Sequence, residues 1–201
     1  MPIWDHSKTM FIQTEATPNP QTLKFIPGRD VHPPGALEFS DPKAAAASPF
    51  AAALFKIEGV RRVFFGPDFI TVTKDGAYEW PHLKPSLLGA IMDSFVSGIP
   101  VMTGDDASAA PAPSAATHYS GDTAQIVREI EELLATRVRP AVAQDGGDID
   151  FDRFEPDTGT VYLRMRGSCS GCPSSTITLK QGIESMLKHY VPEVVRVEQA
   201  L

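Results

Sequence analysis

Ten residues constrain this chain more than any others: Arg166-Gly167-Ser168-Cys169-Ser170-Gly171-Cys172-Pro173-Ser174-Ser175, which hold its only two cysteines. Upstream, Val161, Leu163 and Met165 alternate with Tyr162, Arg164 and Arg166, the period of a half-buried strand. Downstream, Leu179, Ile183, Met186, Leu187 and Tyr190 recur on one face of a helix. Pro173 suits the first helical turn, where a missing N–H leaves nothing unpaired. The spacing therefore predicts both sulfurs at a strand-to-helix corner beside a helix N-terminus. Unpaired amides and the helix dipole favour negative charge there, so a thiol is expected to ionise readily, and the thiolate is both nucleophile and metal ligand.

Three chemistries suit such a pair. Dithiol–disulfide exchange is one, although the βαβ context of thioredoxin-like proteins is missing upstream. A metal site is the second, with a deficit: structural zinc and iron–sulfur clusters want four ligands, and the chain brings two thiolates. His189 lies roughly 25 Å along the following helix at 1.5 Å per residue, too far to complete the set. Two copies of the corner facing across a twofold axis would supply four sulfurs. The third reading is a pair of small buried residues at a tight turn.

The segments Arg139-Pro140 through Asp145-Gly146-Gly147-Asp148, then Gly167-Ser168-Cys169-Ser170-Gly171-Cys172-Pro173-Ser174-Ser175, then Thr178-Leu179-Lys180 and Val191-Pro192-Glu193-Val194, resemble the NifU C-terminal-type domain of Nfu proteins. The match spans about the last 80 residues, and R-P-x4-D-G-G-D with G-x-C-x-G-C-P-S-S is far more specific than a bare C-x-x-C. The resemblance implies an iron–sulfur scaffold or carrier, not an enzyme. It further implies a 4Fe–4S cluster shared by a homodimer through Cys169 and Cys172 of each protomer, then passed to apo-client proteins, with an upstream scaffold as a further partner. A thiol–disulfide oxidoreductase and a zinc bridged by a dimer remain the alternatives.

The first half is expected to be an α+β domain of its own. Residues 10–15 and 22–26 alternate as strands, separated by the Thr17-Pro18-Asn19-Pro20 turn. A loop with Pro33-Pro34-Gly35 follows. Ser48-Pro49 reads as a helix start. Residues 60–65 and 69–73 form a hairpin around Gly66-Pro67-Asp68. A second helix is expected from Ser86, just after Pro85, to Gly98. Gln13-Thr14-Glu15-Ala16-Thr17-Pro18-Asn19-Pro20 and Val63-Phe64-Phe65-Gly66-Pro67-Asp68-Phe69-Ile70 resemble the N-terminal domain of Nfu proteins. No nucleophile–base pair or phosphate loop stands out in this half, so a structural or partner-binding role is expected. Phe64, Phe65 and Trp80 are read as core before client surface.

The expected fold class is thus α+β: two small α/β-sandwich-like domains joined by a flexible Ala/Pro/Ser-rich linker, the second ordered α-β-β-α-β. The boundaries read as an N-terminal extension at 1–9, a first domain at 10–102, a linker at 103–121 and a second domain at 122–201. The linker has no large apolar residue over 103–116, and about eighteen residues of coil reach on the order of 20–25 Å. Asp122 with Gln125 is read as the cap of the helix that opens the second domain. Glu129, Glu131 and Glu132 are read as its solvated face, and Asp145 to Asp148 as a turn beside the cysteine corner, too sparse for a calcium loop.

Composition narrows the partners. A net charge of −7 argues against a dedicated nucleic-acid binder. No apolar run reaches the roughly 18 residues that span a bilayer. The first eight residues lack the apolar core of a signal peptide and the arginines of a transit peptide. Two cysteines suggest no disulfide framework. A cytoplasmic bacterial protein is expected, and a mature mitochondrial form with its presequence removed fits the same pattern.

Overall fold

The structure is a computed structural model that describes residues 11–33, 35–103, 115–170 and 173–200. The extension at 1–9, the start of the first expected strand at Met10, most of the expected linker and Cys172 lie outside the described residues.

The first half builds one antiparallel sheet of five strands, in the order β1 (Gln13–Ala16), β2 (Thr22–Ile26), β5 (Ile70–Lys74), β4 (Val60–Phe65), β3 (Leu37–Phe39). Alternation sends Phe25, Val63, Phe65, Ile70 and Val72 to one face, all fully buried with Phe50, Leu54, Leu87 and Ile91 from two helices. The first helix, α1 (Pro49–Phe55), starts as expected: the Ser48 hydroxyl accepts the Ala51 N–H at 3.0 Å, with Pro49 in the first turn.

Three local expectations need correction. The second helix, α2 (Trp80–Val96), begins six residues before Ser86 and carries Pro85 inside it. Pro81, not Pro85, is its first-turn proline, and burial of Leu83, Leu87 and Ile91 outweighs the one backbone bond that Pro85 cannot make. Residues 37–39, read as loop, form edge strand β3, because Leu37, Glu38 and Phe39 find partners in Phe65, Phe64 and Val63. Asp122 does not cap α3 (Gly121–Leu133): the N-cap is Ser120, without a side-chain bond, and Asp122 sits in the first turn.

The second half follows the expected order. The stripe of α3 buries Val127 and Ile130. A π-turn over Leu134–Val138 then leads into α4 (Arg139–Gln144), the restart that Pro140 permits at a first turn. Next, β6 (Gly147–Glu155) and β7 (Thr160–Gly167) pair antiparallel, and after α5 (Pro173–Tyr190) the chain returns as β8 (Arg196–Gln199), parallel to β7. Ile149, Val161, Leu163, Ile183, Leu187 and Val197 form the core of this three-stranded sheet. Of the expected apolar face of α5, Ile183 and Leu187 are buried, whereas Tyr190 is exposed.

Two ends of the expected linker are tied down. Thr103 donates through both N and Oγ1 to Ala47 O at 3.0 Å. Ala115–His118 form a 3-10 turn whose Ala115 N–H donates to Glu131 Oε1 at 2.8 Å, and the Tyr119 hydroxyl exchanges bonds with the Phe154 backbone. Among the described residues no helix is long and apolar enough to cross a membrane.

Candidate functional site

The C-terminal end of β7 runs straight into the cysteine corner. Gly167 turns the chain with φ +63°, a left-handed conformation that costs a glycine little. The turn that follows is pinned from inside: Ser170 N–H and its hydroxyl both donate to Gly167 O, at 3.2 and 2.9 Å. Helix α5 opens at Pro173, so Cys169 does lie between strand and helix N-terminus. Cys172 lies outside the described residues.

The Asp145-Gly146-Gly147-Asp148 turn packs against the corner, as expected. Ser168 N–H donates to Gly146 O at 3.2 Å, and the Ser168 hydroxyl to Asp145 O at 2.6 Å. The glycines are there for closeness. A Cβ on Gly147 would lie 2.5 Å from Cys169 Sγ, and one on Gly167 would lie 2.7 Å from Gly146 O. Only bare backbone lets the two turns meet.

Asp148 has a role that sequence reasoning missed. The residue is 6% exposed, and its carboxylate takes a bidentate bond from Arg139, at 2.8 and 2.7 Å. Such a fork is the strong form of an ion pair. Asp148 in turn holds the Arg139 guanidinium above its ordinary pKa. The pair ties the start of α4 to the start of β6, directly behind Gly147. The signal was present in the R-P-x4-D-G-G-D spacing, which begins and ends on these two residues.

The Cys169 thiol overturns one electrostatic expectation. It is 7% exposed and belongs to the core of its domain. Burial pushes its pKa up to about 11; the Ser168 hydroxyl lowers it, while the Asp145 and Asp148 charges add to the rise. Desolvation therefore outweighs the field of the nearby helix N-terminus, and in this conformation Cys169 is a protonated thiol.

The outer face of the first sheet also reaches the corner, which the sequence did not reveal. One cross-strand row runs over all five strands: Glu15, Lys24, Thr71, Phe64, Glu38. Lys24 Nζ donates to Gln144 O at 2.9 Å. The Thr71 methyl would lie 2.7 Å from a Cβ on Gly146, and Phe64 3.2 Å from one on Gly167. Glu38 Oε1 accepts the Gly167 N–H at 3.0 Å, and Arg62, beside Glu38 at 3.6 Å, donates to the Ser170 hydroxyl. Phe64 and Phe65 are both buried, as expected of core residues, but only Phe65 lies in the core of its own domain.

Among the described residues, no three His, Cys, Asp or Glu side chains converge as a metal site. The remaining sequence candidates lie apart: His189 stacks edge-on against Tyr190, 4.9 Å between centroids, at the far end of α5.

Known proteins share both halves. Residues 12–98 match the family profile described as scaffold protein Nfu/NifU N terminal, and residues 130–198 match the NifU-like domain. NifU-like protein 4, mitochondrial, of Arabidopsis thaliana is 51% identical over 96% of this chain and 66% of its own length. The NFU1 iron-sulfur cluster scaffold homolog, mitochondrial, of Homo sapiens is 50% identical over 96% of this chain and 72% of its own. The chain thus spans about two thirds of the length of these curated relatives. A solved NifU-like protein from Saccharomyces cerevisiae aligns with 52% of this chain and 94% of that one, at 22% identity and TM-score 0.45.

Proposed function

Because the chain belongs to the Nfu family of NifU-like scaffold proteins, we propose that it carries a 4Fe–4S cluster as cargo, bridged between two protomers and handed to apo-client proteins. Cys169 and Cys172 of each protomer are the four ligands, one thiolate per iron. The observation that carries this reading is the corner itself: Cys169 sits at the strand end with Gly147 packed bare against its sulfur, and the chain has only one other cysteine, three residues on. Four ligands then require two chains.

The role is carriage rather than catalysis. A cluster held across a small interface is lost when the protomers part, whereas four ligands on one chain would retain it. The relatives' names place them in mitochondria; we assign this chain to a reducing compartment, where thiolates persist.

Anaerobic reconstitution with iron and sulfide tests the proposal. The expected product is a brown dimer with about four irons, as a cluster of four sulfur ligands requires. Cys172→Ala loses that iron. A colourless dimer with one zinc per two chains, or full iron content in Cys172→Ala, overturns it.

A further inference from the structure

The outer face of the first sheet meets the cysteine corner through Glu38, Arg62, Phe64 and Lys24, each with a different kind of contact. Glu38 takes the Gly167 N–H, on the residue that turns the chain towards Cys169. Arg62 donates to the hydroxyl of Ser170, the residue that follows Cys169. Phe64 packs on Gly167 and Lys24 reaches Gln144 O, beside the Asp-Gly-Gly-Asp turn. The two residues that bracket Ser168 and Cys169 are therefore both held by the other domain. Cys169 meanwhile points into its own core. For its sulfur to face a second protomer, the turn 167–170 must rearrange, and it cannot do so while Glu38 and Arg62 hold its ends.

We propose that the outer face of the N-terminal sheet is a clamp that holds the cysteine corner in its buried-thiol conformation, and that release of this clamp precedes cluster uptake. The uptake half of this statement rests on the proposed function above; the clamp itself does not.

The closed contact is built to open. Thr71 lies at the centre of the row, 1% exposed, and its hydroxyl has no hydrogen-bond partner among the described residues. A buried hydroxyl left unpaired opposes the state that buries it, and gains its bonds from water once the domains separate. Apart from the apolar packing of Phe64 and the Thr71 methyl on glycines, the contact is made of polar pairs: a lysine on a carbonyl, a carboxylate on an N–H, a guanidinium on a hydroxyl. Such groups are solvated as readily as they are paired, unlike the apolar interior of either domain.

The row thus offers one substitution for each direction. Glu38→Ala removes the acceptor of the Gly167 N–H and the carboxylate beside Arg62, and shifts the chain to the open form. Thr71→Val keeps the shape of the side chain, deletes the unpaired hydroxyl, and shifts it to the closed form. Neither residue is one of the proposed cluster ligands.

The experiment follows Cys169 alone, in full-length apo-protein carrying Cys172→Ser, by its alkylation rate with N-ethylmaleimide at fixed pH. Thermal melts confirm that each variant is folded. The expected result is a rate about fivefold higher in Glu38→Ala and about fivefold to tenfold lower in Thr71→Val, as removal of one buried unpaired hydroxyl implies. Equal rates in all three folded proteins overturn the clamp. The same two substitutions, placed in the chain with both cysteines, are expected to speed and slow iron uptake in the same order. Alkylation needs no iron, so a chain that binds no cluster overturns the proposed function while the alkylation ratio still decides the clamp.

Discussion

The two sheets share a plan and use it differently. Each packs helices on one face. In the first domain the second face carries Lys24, Thr71 and Phe64, all at most 8% exposed, because the other domain lies on it. In the second domain the corresponding face carries opposite charges: Arg166 on Asp150 at 2.8 Å and Arg164 on Asp152 across β6 and β7, and Arg153 on Glu155 at 3.6 Å along β6. Arg164 and Arg153 are about half exposed. A sheet face that is to stay in water can be finished by charges alone. A face that meets another surface needs small and flat contacts, which is why glycines 146 and 167 sit opposite Thr71 and Phe64.

Neighbouring phenylalanines give the sharpest test of that difference. Truncating Phe65, which faces the first core, is expected to lower that domain's stability by about 3–5 kcal/mol. Phe64→Ala should lower it by less than half as much while separating the unfolding transitions of the two domains in a calorimetric scan. Equal losses would mean that the two faces are not distinct.

Next in size is Asp148→Asn, which removes the charged half of the fork to Arg139. A loss of about 2 kcal/mol in the unfolding free energy of the second domain, measured by urea titration, is expected, limited because the Arg139 side chain is 42% exposed and keeps its water.

Glu184 gives a smaller effect that depends on pH. Its carboxylate is held below its ordinary pKa of 4.5, first by the Lys188 ammonium and then by the Val197 N–H of β8. A lowered pKa in the folded state stabilises the fold above the unfolded value, and that contribution disappears as pH falls through the folded one. Glu184→Gln should therefore cost about 1 kcal/mol at pH 7, and the difference from wild type should shrink steadily below pH 4.5. A constant difference down to pH 2 would place the effect elsewhere.

Arg164→Ala, on the open charged face, should change stability by less than about 0.5 kcal/mol. A larger loss in a thermal melt would show that this face, too, is covered.

Much of the architecture was legible because it is written in period. Alternation gave β2 and the β4–β5 hairpin, the Ser48-Pro49 pair gave the start of α1, and the stripe of α3 was read from Val127 and Ile130. The failures have a common cause, in that tertiary contacts decided where local signals were silent or misleading. Edge strand β3 has three residues and exists because β4 offers it partners. Pro85 read as a start signal, but a helix with enough buried leucine runs through it. At the site, the strand-to-helix corner and the glycine turn beside it were readable. The state of Cys169 was not: sequence places a thiol near a helix end but cannot reveal the burial that reverses the effect of that position. The outer row was hidden for the same reason. Lys24 looks like any solvent-facing residue of an alternating strand until Gln144 is found opposite. The adjacency of Phe64 and Phe65 was the one clue that both faces of β4 are covered.

The anchors at Thr103 and Ala115 carry a consequence for regulation. Eleven residues, 104–114, join them, and even fully extended they span only about 40 Å. A released domain therefore stays within that radius, at an effective concentration in the millimolar range whatever the dilution. Re-docking of the two domains is unimolecular, whereas pairing of two cysteine corners is bimolecular. On the proposed function and clamp, the amount of protein present would set the balance between them: scarce chains would close on themselves, and abundant ones would pair through their cysteine corners.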